Sequence, residues 1–149
     1  GYAGTISGDR DTDKRIVGLD LSGDVGGKTY WYAQYLWNSW DGFLDADAGE
    51  DYRWDGGCAG VDYIPNERWA FSLLHNYADA GDFADTDTIY EGIDINSLSV
   101  TASYYFMRNV KGVVELNYDF LDQIGKDGDY WTGHLNKEHY ILFGLDTAF

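Results

Sequence analysis

Apolar residues recur at every second position in seven stretches of this chain. Residues 15–24 set Val17, Leu19 and Leu21 against Gly18, Asp20 and Ser22. Residues 29–38 set Trp31, Ala33, Tyr35 and Trp37 against Tyr30, Tyr32, Gln34 and Asn38. Residues 56–64 offer Ala59, Val61 and Tyr63 opposite Cys58, Gly60 and Asp62, and residues 68–78 offer Trp69, Phe71, Leu73 and Tyr77 opposite Ala70, Ser72 and Asn76. In 97–107, Leu98, Val100, Ala102, Tyr104 and Phe106 alternate with Ser97, Ser99, Thr101, Ser103 and Tyr105. In 110–121, Val110, Val114, Leu116, Tyr118 and Phe120 alternate with Lys111, Glu115, Asn117 and Asp119. The last stretch alternates Ile141, Phe143, Leu145, Thr147 and Phe149 with Glu138, Tyr140, Leu142, Gly144, Asp146 and Ala148. A period of two is the signature of β-strands whose two faces meet different environments.

The connections alternate in length. Val25-Gly26-Gly27-Lys28, Pro65-Asn66-Glu67 and Arg108-Asn109 are tight, and their Gly and Asn residues suit the positive φ of short hairpins. Segments 39–55, 79–96 and 122–136 are long and acidic. None carries an apolar stripe of helical period, so the expected fold class is all-β, an antiparallel up-and-down meander. Residues 1–8 are an eighth strand or the stub of one. No linker or repeat beyond the hairpin is evident, so 1–149 reads as a single domain.

Composition narrows the choices. With 26 acidic and 10 basic residues the net charge is −16, which argues against a nucleic-acid partner. One Cys allows no intrachain disulfide and no cysteine-based metal site. No apolar run is long enough for a membrane-spanning helix. The mean hydropathy of −0.42 is not decisive, because alternation dilutes the apolar signal of membrane strands. Aromatic residues reach 17%, with 13 Tyr and 6 Trp. Tyr and Trp favour boundaries where the ring is buried and the polar tip is wet. An aromatic-rich soluble β-sandwich is the alternative.

The closing run, Tyr140 to Phe149, alternates apolar residues and finishes on Phe. It resembles the terminal strand of bacterial outer-membrane β-barrels, departing at Thr147, where a larger residue is usual. The resemblance implies an antiparallel transmembrane barrel in the outer membrane of a Gram-negative bacterium. Phe149, Leu145 and Phe143 would form the signal read by the barrel-assembly machinery. Outer-membrane lipid and lipopolysaccharide would be its surroundings, the short turns periplasmic and the long loops outside. Such barrels have an even number of strands, so the chain is either an eight-stranded barrel or the C-terminal portion of a larger one. The inward face decides between them. It carries Asp20, Asp62, Glu115, Asp119, Glu138 and Asp146, with Lys111 the main base and mostly small residues between. An eight-stranded interior is filled by side chains, and unpaired carboxylates there would be costly to desolvate. A wide, water-filled, porin-like lumen lined by these six acids is the favoured reading. It would pass small hydrophilic solutes by passive diffusion and favour cations. A structural barrel is the alternative, either a small adhesin-like one or a sheath holding a protein partner. A homo-oligomer fits either.

Other chemistry is weakly signalled. Acids cluster at Asp45, Asp47, Glu50, Asp51 and Asp55, at Asp79, Asp82, Asp85 and Asp87, and at Asp122, Asp127 and Asp129. Their spacing lacks the Gly and bidentate Glu of an EF-hand. They read as solvated loops joined to lipopolysaccharide through divalent cations, so no metal site is assigned. His75 and His139 fall on the outward face and His134 in a loop. Ser72 and His75 lie on opposite faces of one strand, so no catalytic dyad is expected and the chain does not read as an enzyme. Cys58 points inward without an evident role, and no cofactor is implied. Trp31, Tyr63, Trp69, Phe106 and Phe149 near the short turns, and Trp37, Trp40, Tyr77, Tyr118 and Phe120 near the long loops, are expected to form two aromatic girdles. Tyr30, Tyr32, Tyr105 and Tyr140, which face inward, leave a sugar-stacking track open.

Overall fold

The computed structural model describes residues 2–6, 12–41, 51–81, 94–120 and 139–147. These form one eight-stranded antiparallel sheet in strict sequence order. Its strands are β1 (Tyr2–Ile6), β2 (Thr12–Val25), β3 (Thr29–Asp41), β4 (Asp51–Asn66), β5 (Trp69–Asp79), β6 (Ile95–Met107), β7 (Val110–Asp119) and β8 (Tyr140–Thr147). Every strand pairs with its neighbours in the chain, and β1 and β8 do not pair with each other. The sheet is therefore an open meander. These strands do not close into an eight-stranded barrel. No helix of the described residues is long and apolar enough to cross a membrane.

The eighth strand exists, and several strands run further than alternation of hydrophobicity indicated. β2, β3 and β4 continue into segments expected to be loop: Asp41 pairs with Asp51, Trp40 with Tyr52 and Ser39 with Arg53. Asp51, Asp55 and Asp79 consequently belong to strands. The reason is physical. Pairing continues for as long as backbone partners face one another, whereas alternation disappears once both faces meet the same polar surroundings.

The short turns follow their local chemistry. Gly26 and Gly27 both adopt positive φ, 65° and 67°, the backbone that a two-residue hairpin of the I′ kind requires. The Asp24 carboxylate accepts the Gly27 N–H at 2.8 Å and fixes the turn. At the next turn Asn66 Oδ1 accepts the N–H groups of Arg68 and Trp69, at 2.9 and 3.2 Å. Pro65, which cannot donate to a ladder, sits where the β4–β5 register is already broken between Tyr63 and Asn66.

The registers carry each strand's faces across the sheet, shifting only beside two short turns, between Tyr63 and Asn66 and between Tyr105 and Met107. Leu19 pairs with Tyr35, Val61 with Leu73, Leu73 with Val100, Val100 with Leu116 and Leu116 with Ile141. Asp62 pairs with Ser72, Ser72 with Thr101, Thr101 with Glu115 and Lys111 with Asp146. One face of the sheet is thus apolar from β2 to β8 and the other polar. Among the described residues Ala80 alone is a buried hydrophobic, so the apolar face covers no core.

Replacing Gly26 and Gly27 by Ala should cost about 1–2 kcal/mol each, because left-handed backbone is strained for residues with a Cβ. Denaturant unfolding of the two single variants and the double variant checks this. Unchanged stability would mean that the turn does not hold these dihedrals.

Candidate functional site

The site is the sheet itself, read as two surfaces. On the apolar face Leu19, Leu73, Val100 and Leu116 are about half exposed, and Phe143 is 77% exposed. Between Trp69 and Tyr77 the face rises about 27 Å along the strand. Seven strands about 4.8 Å apart make it about 800 Å² in plan, against about 300–600 Å² for the largest apolar patch on a typical soluble monomer. A sheet face of this kind normally packs on another layer, and the described residues contain no second layer.

Aromatic residues gather at the two ends of this face, with aliphatic ones between. Near the short turns Trp69 stacks on Phe71 with ring centroids 5.5 Å apart, Trp69 meets Tyr104 at 4.8 Å, and Tyr104 meets Phe106 at 5.1 Å. Near the long loops Tyr35 lies 4.6 Å from Trp37, Tyr118 lies 4.8 Å from Phe120, and His139 stacks on Tyr118 at 4.3 Å. Leu19, Leu21, Ala33, Ala59, Val61, Leu73, Val100, Ala102, Val114 and Leu116 fill the middle, with no charged residue among them. The long-loop half of this face also carries polar groups: Tyr35 donates to the Asp55 carboxylate, and His75, which pairs with Ala59 and Leu98 within the face, has its Nε2 2.9 Å from Asn96 Oδ1.

The polar face is organised by cross-strand hydrogen bonds. Ser72 donates to Asp62 at 2.6 Å and Ser99 to Asn117 Oδ1 at 2.7 Å. Glu115 gathers two donors from flanking strands, Tyr140 at 2.8 Å and Thr101 at 3.4 Å. Lys111 pairs with Asp146 at 3.2 Å, both partly exposed, a bridge of small energetic weight. The Tyr32 ring lies against Gly60, where a Cβ would come within 2.4 Å of it. The ring fills the space that the missing side chain leaves.

The acids expected to line one surface do share it. Asp20, Asp62, Glu115, Asp119 and Asp146 all have the register of the polar face. Their surroundings differ. Asp20 is exposed, whereas Asp119 retains 5% of its surface and borders a cavity of about 270 Å³ with Asn76, Ser97, Ser99, Asn117 and Tyr140. Phe143 and Leu145 stand on the apolar face of the edge strand β8. Glu138, Phe149, His134 and the acids Asp45, Asp47, Glu50, Asp82, Asp85, Asp87, Asp122, Asp127 and Asp129 lie outside the described residues.

The register corrects one assignment and adds a feature. Trp40 pairs with Lys14 and Tyr52 and has the parity of Asn38, so it lies on the face opposite Trp37 and belongs to no girdle shared with it. The Lys14 ammonium sits 4.0 Å from the Trp40 ring centroid. Ile16, Leu36, Asn38, Tyr52 and Trp54 share this parity, with Asn38 only 5% exposed. The polar face therefore carries an aromatic and aliphatic patch at its long-loop end. Its signal was the even-numbered positions of 36–40 and 52–54, hidden because alternation ends the strand at 38 and 39–55 reads as loop. Comparison with protein-family models, curated proteins and solved structures finds no match.

Glu115 joins three strands, so Glu115→Ala should loosen the edge strand β8. The expected cost is roughly 1–2 kcal/mol for two orphaned hydroxyls, with faster amide exchange in 140–147. Combining it with Tyr140→Phe should give less than the sum of the single effects, and full additivity would show that the two groups do not interact.

Proposed function

We propose that this chain is part of an outer-membrane β-barrel whose polar face lines a water-filled, acidic lumen. The barrel passes small hydrophilic solutes by diffusion and favours cations. One observation carries the reading: an apolar face bounded by aromatic residues at both ends backs directly onto a face of hydrogen-bonded carboxylates, hydroxyls and amides. Lipid is the surroundings that the first face suits, and water the surroundings that the second suits. At a strand tilt of about 40° the distance from Trp69 to Tyr77 projects to about 20 Å, close to the apolar band of such barrels. Among the described residues neither lateral edge of the sheet, β1 or β8, pairs with a further strand, which suits additional strands in a larger barrel.

In this reading β2–β8 cross the membrane, the short turns face the periplasm, and the long acidic segments face outward. The field of Asp20, Asp62, Glu115, Asp119 and Asp146 raises the local concentration of cations over anions in the lumen. No side chain needs to perform chemistry, so the chain is not assigned an enzymatic activity.

A second reading has a specific observation behind it. The patch of Ile16, Leu36, Trp40 and Trp54 on the otherwise polar face suits contact with a plug or a protein partner held inside the barrel. A sheath of this kind would conduct poorly until its partner was removed.

Planar-bilayer recordings of the full-length protein separate the readings. An open acidic pore gives reversal potentials in a salt gradient that favour cations, and Asp62→Asn with Asp20→Asn weakens that preference without loss of folding. Anion selectivity, or no conductance, would contradict the pore. Leu73→Arg, on the apolar face, should cost about 2–4 kcal/mol of stability in lipid.

A further inference from the structure

The three short turns each carry one cation, in a chain whose net charge is −16. Lys28, Arg68 and Arg108 are all exposed. Lys28 and Arg68 occupy equivalent places in successive hairpins: the Lys28 carbonyl accepts the Ile64 N–H, and the Arg68 carbonyl accepts the Tyr105 N–H, both at 2.8 Å. These bonds tie each turn to the next strand, so the cations stand on one fixed rim, about 10 Å apart per hairpin. Among the described residues the acids at this end are Asp24, Asp62, Glu67 and Asp146, Asp62 lying level with Asp24 through Tyr30 and accepting from Ser72. Asp24 holds its own turn and Asp146 pairs with Lys111. The Arg68 guanidinium Nη1 lies 3.3 Å from the Tyr104 hydroxyl, and Tyr104 belongs to the aromatic end of the apolar face. A guanidinium and a phenol meeting at the edge of an apolar band lie at the depth of lipid phosphates.

We infer that this rim seats on anionic phospholipid headgroups, with Lys28, Arg68 and Arg108 contacting their phosphates and Tyr104 placing Arg68. The inference rests on the membrane reading. It adds a lipid preference and a cause for the orientation: the cationic rim seeks the phospholipid leaflet, and the acidic long-loop end is repelled from it. A second copy of the chain is a poorer occupant, because a symmetric contact between two such rims would bring like charges together.

The test is native mass spectrometry of the full-length protein from detergent micelles containing equal amounts of phosphatidylglycerol and phosphatidylcholine. The wild type should retain phosphatidylglycerol about fivefold over phosphatidylcholine, the ratio given by roughly one cation near a phosphate. The triple variant Lys28→Gln/Arg68→Gln/Arg108→Gln should fall to parity. The charge-conserving triple Lys28→Arg/Arg68→Lys/Arg108→Lys should keep the preference, which separates charge from any fault in folding. The control Arg15→Gln/Arg53→Gln, at the opposite end, should also keep it. Parity in the wild type, or a preference that survives the Gln triple, would overturn the inference while retained phosphatidylcholine left the membrane reading standing. A protein that stays dispersed without detergent and retains neither lipid would overturn both.

Discussion

Everything in this structure depends on the antiparallel ladder keeping one parity from strand to strand. A slip of one residue at any pairing would move an entire set of side chains to the other face. From β2 to β8 the parity is kept through the body of every ladder, and the two one-residue shifts, at Tyr63/Asn66 and Tyr105/Met107, sit beside short turns. The consequence is a sheet with a large exposed apolar surface and, among the described residues, no protein layer over it. Its two faces require two different environments, and the membrane reading supplies both.

The polar face is held together differently from a soluble core. Its contacts are side-chain hydrogen bonds across neighbouring strands, such as Ser72 to Asp62 and Tyr140 to Glu115. Carboxylates that accept hydroxyl donors remain available to water and ions on their other lone pairs. A face of this kind can bound an aqueous space without a compensating base for each acid. The buried exception is Asp119, beside the small polar cavity near Asn76 and Ser97. Strands that continue past the aromatic residues, as β3 and β4 do at Asp41 and Asp51, keep their backbone pairing there.

Much of this was legible in the sequence. Alternation marked the strands and their faces wherever the two surroundings differ, as in Leu98 to Phe106 against Ser97 to Tyr105, and Gly26-Gly27 marked a turn. The ends of β2, β3 and β4 were not legible, because Asp13, Asp41 and Asp55 carry polar character on both faces. Trp40 was misplaced because it falls in a segment that reads as loop, where no face is assigned, and the pairing with Lys14 and Tyr52 shows its side. Barrel closure and partners depend on surfaces beyond these strands, about which periodicity is silent.

The central claim is that the two faces meet lipid and water respectively. Its most direct test is a nitroxide scan along Ser97–Phe106 of the full-length protein in lipid, in a Cys58→Ser background, with oxygen and a charged nickel chelate as collision partners. The account predicts a period of two: oxygen dominates at 98, 100, 102 and 104, and the chelate at 97, 99, 101 and 103. Equal chelate access at both sets, or the opposite alternation, would contradict it.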